Sequence, residues 1–313
     1  MDNFVIITDG CGDLTKEQRE KYGIEIPAKS TIVWPDKVVR EADIDWELTT
    51  PEEYYKKMTK KEGMFETAFP TPQTIIERMS ADCEKGLDIF CVTISSAMSG
   101  GYSAFTLAAQ EVMGKYPGRR IHVVDSLRYG AAISLISIEI SRCREKGMSF
   151  DETVAYIEEA KLKLHQCGVM DDLFFLARKG RIPKATAFMG NMVGIKPMGE
   201  LCNETGMSQI IGKARGYKKF FKTFPKYVRE TIGNPDGKII MVSHSLREAQ
   251  AKELVKIITN EFPTAICEYV DLGQATGANV GPGLCAAYYL GDEKISQNCV
   301  KEKVILEAIL SEK

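Results

Sequence analysis

The chain has 313 residues, 41 Lys plus Arg against 43 Asp plus Glu, a net charge of -2 and 44% hydrophobic residues. This is the composition of a soluble globular protein long enough for about two domains. It excludes an electrostatic nucleic-acid binder, which needs a clustered basic surplus. In chain order, the start Met1-Asp2-Asn3 lacks the basic region and long apolar stretch of a signal peptide, so a cytoplasmic location is expected. No apolar run reaches the roughly 18 residues of a membrane span. The most apolar stretch, Ala131 to Ile140, is interrupted by Glu139, so no stable membrane insertion is expected. Nine scattered cysteines without Cys-x-x-Cys, and three histidines far apart, predict no metal site.

Phe4-Val5-Ile6-Ile7 predicts a buried strand, and Thr15-Lys16-Glu17-Gln18 is a capping box that opens a short helix. Residues 34–61 carry a proline, many charges and no long apolar run. They predict a small excursion of one hairpin and one helix starting near Thr50-Pro51-Glu52. Leu87 to Ile94 reads as a strand, Ser103 to Met113 as a helix, Ile121 to Val124 as a strand, and Ala131 to Lys146 as a helix with an apolar stripe. Strands alternating with helices predict a mostly parallel sheet covered by helices. A second capping box, Ser149-Phe150-Asp151-Glu152, marks the expected boundary between an N-terminal α/β domain, 1–148, and a C-terminal α+β domain, 149–313. Beyond it a helix is expected to about His165, then a glycine-punctuated stretch from Arg178 to Gly216. A basic helix (Tyr217 to Arg229), a strand (Lys238 to Val242), a helix (Glu248 to Phe262) and a strand (Ile266 to Asp271) follow.

In open α/β sheets ligands bind at the carboxyl ends of the strands. The loops there are Thr8-Asp9-Gly10-Cys11-Gly12-Asp13-Leu14, Ser95-Ser96-Ala97-Met98-Ser99-Gly100-Gly101-Tyr102 and Asp125-Ser126-Leu127. Each alone is an ordinary turn. Three at equivalent strand ends, with Asp9, Ser96, Asp125 and Ser126 near the mouth, predict an anion site. No P-loop, Gly-x-Gly-x-x-Gly or Gly-x-Ser-x-Gly string is present. His244 reads as a cap for the helix after it. The basic strings around Arg178-Lys179-Gly180-Arg181 and Lys213-Ala214-Arg215 are either a solvated face or a docking patch.

Eight strings in order now identify a family. Thr8 to Leu14 resembles the Thr-Asp-Ser-x-x-Asp-Leu of the DegV family of fatty-acid-binding proteins, which includes the FakB subunits of bacterial fatty acid kinase. Thr67-Ala68-Phe69-Pro70 is similar to its Thr-Ser-x-Pro, and Ser95 to Tyr102 to its Ser-Ser-x-Leu-Ser-Gly-Thr-Tyr. Val124-Asp125-Ser126, Gly180-Arg181-Ile182, Ile195-Lys196-Pro197, Ala214-Arg215 and Gly281-Pro282-Gly283 complete the series. The resemblance implies a long-chain fatty acid as ligand, held in an apolar tunnel between two domains, with no cofactor. It implies a carboxylate met by Thr67 and Ser99, and a separate ATP-dependent kinase subunit as partner that forms an acyl phosphate. Arg181 and Arg215 stand at positions linked to that docking. Backbone N–H groups at Ala68 and Gly100 add donors at the mouth. A His commonly precedes the Gly-Pro-Gly-like string in the family; Asn279 stands there in this chain and offers a neutral amide in its place. On this reading the chain is a carrier and not an enzyme. The competing readings are a hydrolase or acyl transferase using Ser99 as nucleophile, which requires a base near Ser99, and a module that senses a small anion.

Overall fold

The computed structural model describes residues 3–26, 28–59, 64–182 and 194–312. The first half runs β1 (Phe4–Thr8), α1 (Lys16–Tyr22), β2 (Ile24–Glu25), β3 (Thr31–Val33), β4 (Val39–Glu41), α2 (Pro51–Thr59), β5 (Glu66–Ala68), α3 (Pro72–Glu84), β6 (Asp88–Thr93), α4 (Gly101–Lys115), β7 (Ile121–Asp125) and α5 (Ala131–Glu145). Four of the strands form a parallel sheet in the order β2-β1-β6-β7, and β6 is buried along its whole length. The expected capping box starts α1: the Thr15 hydroxyl accepts from Gln18 N–H, and the Gln18 side chain accepts from Thr15 N–H. The expected excursion at 34–61 contains the helix α2 and one strand of a hairpin, β4, whose partner β3 lies just before it. A third strand, β5, joins them into a separate antiparallel sheet, β4-β3-β5. Residues 60 and 61, its expected end, lie outside the described residues.

The second half contributes α6 (Phe150–Ala160), β8 (Leu164–Met170), α7 (Leu173–Arg178), β9 (Ile195–Leu201), β10 (Ser208–Arg215), α8 (Gly216–Ile232), β11 (Ile239–His244), α9 (Glu248–Glu261), β12 (Ile266–Asp271), α10 (Gln274–Val280), β13 (Leu284–Leu290) and α11 (Val300–Ser311). Its six-stranded sheet has the order β10-β9-β8-β13-β11-β12, antiparallel except for β11 with β12. The helix expected to reach His165 instead ends at Ala160, and a 3-10 turn leads into β8. His165 and Gln166 disguise this strand as a polar helix tail. In the fold both are buried: His165 Nδ1 lies 2.9 Å from Glu200 Oε2, and Gln166 N–H donates to Glu200 Oε1. The stretch from Arg178 to Gly216 includes a regular hairpin, β9 with β10, while residues 183–193 lie outside the described residues.

Helix α5 joins the halves. Burial extends beyond the expected apolar stripe, since residues 131–141 and Cys143 are all buried. The helix packs against β1 and β6 on one side and against β11 and β13 on the other. Its serines fit this setting by bonding to carbonyls, Ser137 to Ile133 O and Ser141 to Tyr22 O. Fully buried Arg128, just before α5, reaches into the second half. It donates to Leu164 O at 3.0 Å and to Asn203 Oδ1 at 2.7 Å.

Candidate functional site

A cavity of about 290 Å³ opens where the loops after β1 and β6 meet β5, α7 and α10. Asp9 links the first two loops: Oδ1 accepts from Cys11 N–H at 3.0 Å and Oδ2 from Ile94 N–H at 2.8 Å. Burial pushes its carboxyl up to about 6, against the pull of these N–H groups. From the second half, Thr276 donates to Cys11 O at 3.1 Å, and Ser95 donates across to Gly206 O at 3.0 Å. Gly206 has φ +60, and a Cβ there would lie 2.4 Å from Ser95 Oγ, so this close approach requires glycine.

Two hydroxyl oxygens that line the cavity each accept one hydrogen bond. Ser99 Oγ accepts from Gly101 N–H at 3.1 Å, and Thr67 Oγ1 accepts from Asn279 Nδ2 at 2.9 Å. In each case a lone pair is taken and the O–H proton is left to donate into the cavity. Asn279, expected at the carboxylate itself, spends its amide hydrogens on Thr67 and on Ala275 O. Asn279 lines the cavity beside Thr67 and makes that hydroxyl oxygen an acceptor. Ala68 and Gly100 line the same mouth, with the exposed ring of Phe69 over Gly100.

The remaining expected residues divide. Arg181, expected on a docking face, lines the cavity half-buried, held by a bond to Lys179 O. Arg215 is exposed at the end of β10, outside the cavity lining. Ser96, Asp125 and Ser126 build the adjoining loop instead of lining the cavity. Asp125 Oδ1 accepts from Ser96 and Leu127 N–H groups, and Ser126 Oγ bonds both ways with the Arg128 backbone. All three histidines lie elsewhere. His122 pairs with Glu158, His165 with Glu200, and His244 with Tyr269 and Asp271. His244 also accepts from Arg247 N–H just ahead of α9, as a cap should. Among the described residues no group of three or more His, Cys, Asp or Glu is placed to hold a metal ion, and no helix is long and apolar enough to cross a membrane.

Sequence reasoning missed the far end of the cavity. Tyr129, Leu176 and Ser208 form a neck, beyond which a second space of about 40 Å³ runs along the central sheet. Its floor is Gly199, Gly168 and Ala286, adjacent in register across β9, β8 and β13, and Val169, Met170, Leu173, Ile182 and Ile210 are among its walls. A Cβ on Gly168 would lie 2.5 Å from Ala286 Cα, so this close strand approach requires glycine. Gly168 and Gly199 sit in strands that single-sequence periodicity did not reveal.

The fold and site thus define an α/β protein of two large sheets and one small one, with a polar-mouthed cavity that turns apolar with depth. A family model described as "Uncharacterised protein, DegV family" matches residues 3–292. A DegV domain-containing protein of Clostridium perfringens is 30% identical over 295 residues, covering 94% of this chain and 99% of the relative. The chain belongs to the DegV family. Among solved structures, a DegV family protein of Ruminococcus gnavus, refined with vaccenic acid, superposes with a TM-score of 0.79 at 25% identity, covering 91% of this chain and 99% of that one. The Fatty Acid Kinase (Fak) B3 protein of Streptococcus pneumoniae, loaded with linoleic acid, shares the fold with a TM-score of 0.78 at 22% identity, covering 93% and 100%.

Proposed function

We propose that this chain binds a long-chain fatty acid with its tail beyond the Tyr129 neck and its carboxyl group at the mouth. There it presents the carboxyl to a partner kinase that forms an acyl phosphate. The observation that carries this reading is the pair of hydroxyls at Thr67 and Ser99, each with its proton free to donate at the mouth of a cavity that becomes apolar inward. Burying about fourteen methylenes at roughly 0.8 kcal/mol each supplies on the order of 11 kcal/mol before entropic costs. Removing a carboxylate from water costs several kcal/mol unless it is hydrogen-bonded or paired; the two hydroxyls and the Arg181 guanidinium at the cavity wall offset that cost. Arg215, exposed and outside the cavity, suits encounter with the kinase rather than ligand contact. A cytoplasmic location belongs to the same reading.

A Ser99 nucleophile is poorly supported. Its Oγ is held as an acceptor, the histidines are engaged elsewhere, and Asp9, the carboxyl among the described lining residues, has both oxygens on backbone N–H groups. The deciding experiment is solvent extraction of the purified protein followed by mass spectrometry. The expected result is close to one long-chain acid per chain; no acid in the extract and no uptake of added acid would remove the carrier reading.

A further inference from the structure

We propose a second ligand site, for a small organic cation that carries a neutral hydrogen-bond acceptor beside its ammonium group. The inference does not rest on the fatty-acid reading. A cavity of about 290 Å³ lies between the loop after β1, the loop after β12 and residues 42–47. It shares only Ala275 with the described lining of the mouth. The second cavity is acidic, and the protein does not balance its charge. Arg19 neutralises Asp45 at 2.8 Å, and Lys16 is the one basic side chain among the described lining residues. Glu17, Glu47 and Asp271 also line the cavity, and among the described residues none of them pairs with a lysine or arginine. Asp271 lies 3.1 Å from the ring of His244, which burial keeps neutral by pushing its pKa down to about 4. A ligand ammonium group supplies the missing charge. Gln274 is the independent sign of a ligand. It is 2% exposed and lines the same cavity; its carbonyl oxygen accepts from Asp43 N–H at 3.0 Å, and its amide nitrogen has no hydrogen-bond partner. Buried donors are nearly always met, so the open amide calls for an acceptor on the ligand. An ammonium group cannot accept, and a ligand carboxylate is repelled by the acidic lining, which leaves a neutral hydroxyl or carbonyl. Trp46 adds an aromatic wall, set edge-on to Tyr54 with ring centroids 5.7 Å apart, and such rings attract organic ammonium ions.

The test follows the two tryptophan indole N–H signals of the full-length chain by NMR, with the Trp46 signal assigned by its absence in Trp46→Phe. The chain is titrated near neutral pH with ethanolamine and glycinamide, which carry both groups, and with propylamine, which lacks the acceptor. Glycine, which adds a carboxylate, and sodium chloride at matched ionic strength complete the series. Ethanolamine and glycinamide should shift the Trp46 signal saturably and leave the Trp34 signal in place. Propylamine should bind about fivefold more weakly, the size of one neutral hydrogen bond. Glycine and salt should give no saturable shift. Glu47→Gln should weaken every amine, and Gln274→Leu should remove the advantage of ethanolamine over propylamine. Should Gln274→Leu fail to fold, the ratio of the two affinities in the wild-type chain decides the point. Equal, unsaturating shifts for all the amines and for salt overturn the proposal. So does saturable binding in which propylamine matches ethanolamine, because Gln274 then selects nothing.

Discussion

At the scale of single residues, Thr67 and Asn279 behave as one unit, because the amide bonded to the Thr67 hydroxyl makes no further donation into the cavity. Thr67→Ala and Ser99→Ala should each weaken fatty acid binding by about 1–3 kcal/mol, the range for a lost donor to a charged group. Asn279→Ala should cost less. In a double-mutant cycle with Thr67→Ala the costs should fall short of additive by at least about 0.5 kcal/mol; additive costs would detach Asn279 from Thr67. Asp13 offers a second test, in stability. It is 6% exposed and accepts from Gly273 N–H at 2.9 Å, and burial, with Asp271 nearby, pushes its carboxyl from 3.8 up to about 8. The neutral form is therefore favoured in the folded chain. Its stabilising contribution is complete below pH 3.8 and is lost as pH rises through about 8. Asp13→Asn keeps an acceptor for Gly273 and cannot ionise. Its melting temperature should match wild type near pH 4 and exceed it by several degrees at pH 8; a constant difference across that range would contradict the assignment.

At the scale of elements, the small sheet and α2 act as a brace. Tyr54 and Tyr55, both fully buried, donate to Gln274 O and Leu272 O at the entrance to α10, which carries Thr276 and Asn279. A Cβ on Gly277 would lie 2.1 Å from the Tyr55 hydroxyl. Gly277→Ala should displace that hydroxyl, leave Leu272 O unpaired at about 1–3 kcal/mol, and weaken ligand binding through the shift of Asn279. Urea denaturation together with ligand titration measures both, and wild-type behaviour in both would free α10 from its brace. Legibility in the sequence follows the same elements. The parallel sheet was readable because β1, β6 and β7 are short apolar runs separated by helices, and the capping boxes at Thr15 and Ser149 were readable because they depend on local spacing alone. Strand β8 was not, since the His165 ring and the Gln166 N–H are met by Glu200, 34 or more residues away. The mouth residues Thr67 and Ser99 were legible through family strings. The neck at Tyr129, Ser208 and Leu176 was not, because three distant segments meet there only in the folded chain.

At the scale of the molecule, we divide the chain at 148/149 as an architectural boundary rather than a boundary between independent folding units. One apolar core contains Phe4, Ile138, Met241 and Tyr288, so residues of both halves share it. Arg128 adds a polar tie across the same junction. Both tryptophans, Trp34 and Trp46, lie in the first half. Their fluorescence should nonetheless follow the same urea transition as far-UV circular dichroism, which reports the whole chain, as a cooperative unit requires. Separate midpoints would show that the halves unfold on their own.

The enclosure of α5 has a consequence in time. With residues 131–141 buried between two sheets, no fraying of a solvated face exposes its central amides, so they open only when the sheets separate. In hydrogen–deuterium exchange these amides should be the last to label, and their rate should report global unfolding. A bound ligand that leaves α5 untouched should still slow its exchange, by the factor with which it stabilises the whole chain. The helix is then a clock for occupancy of a site it does not line.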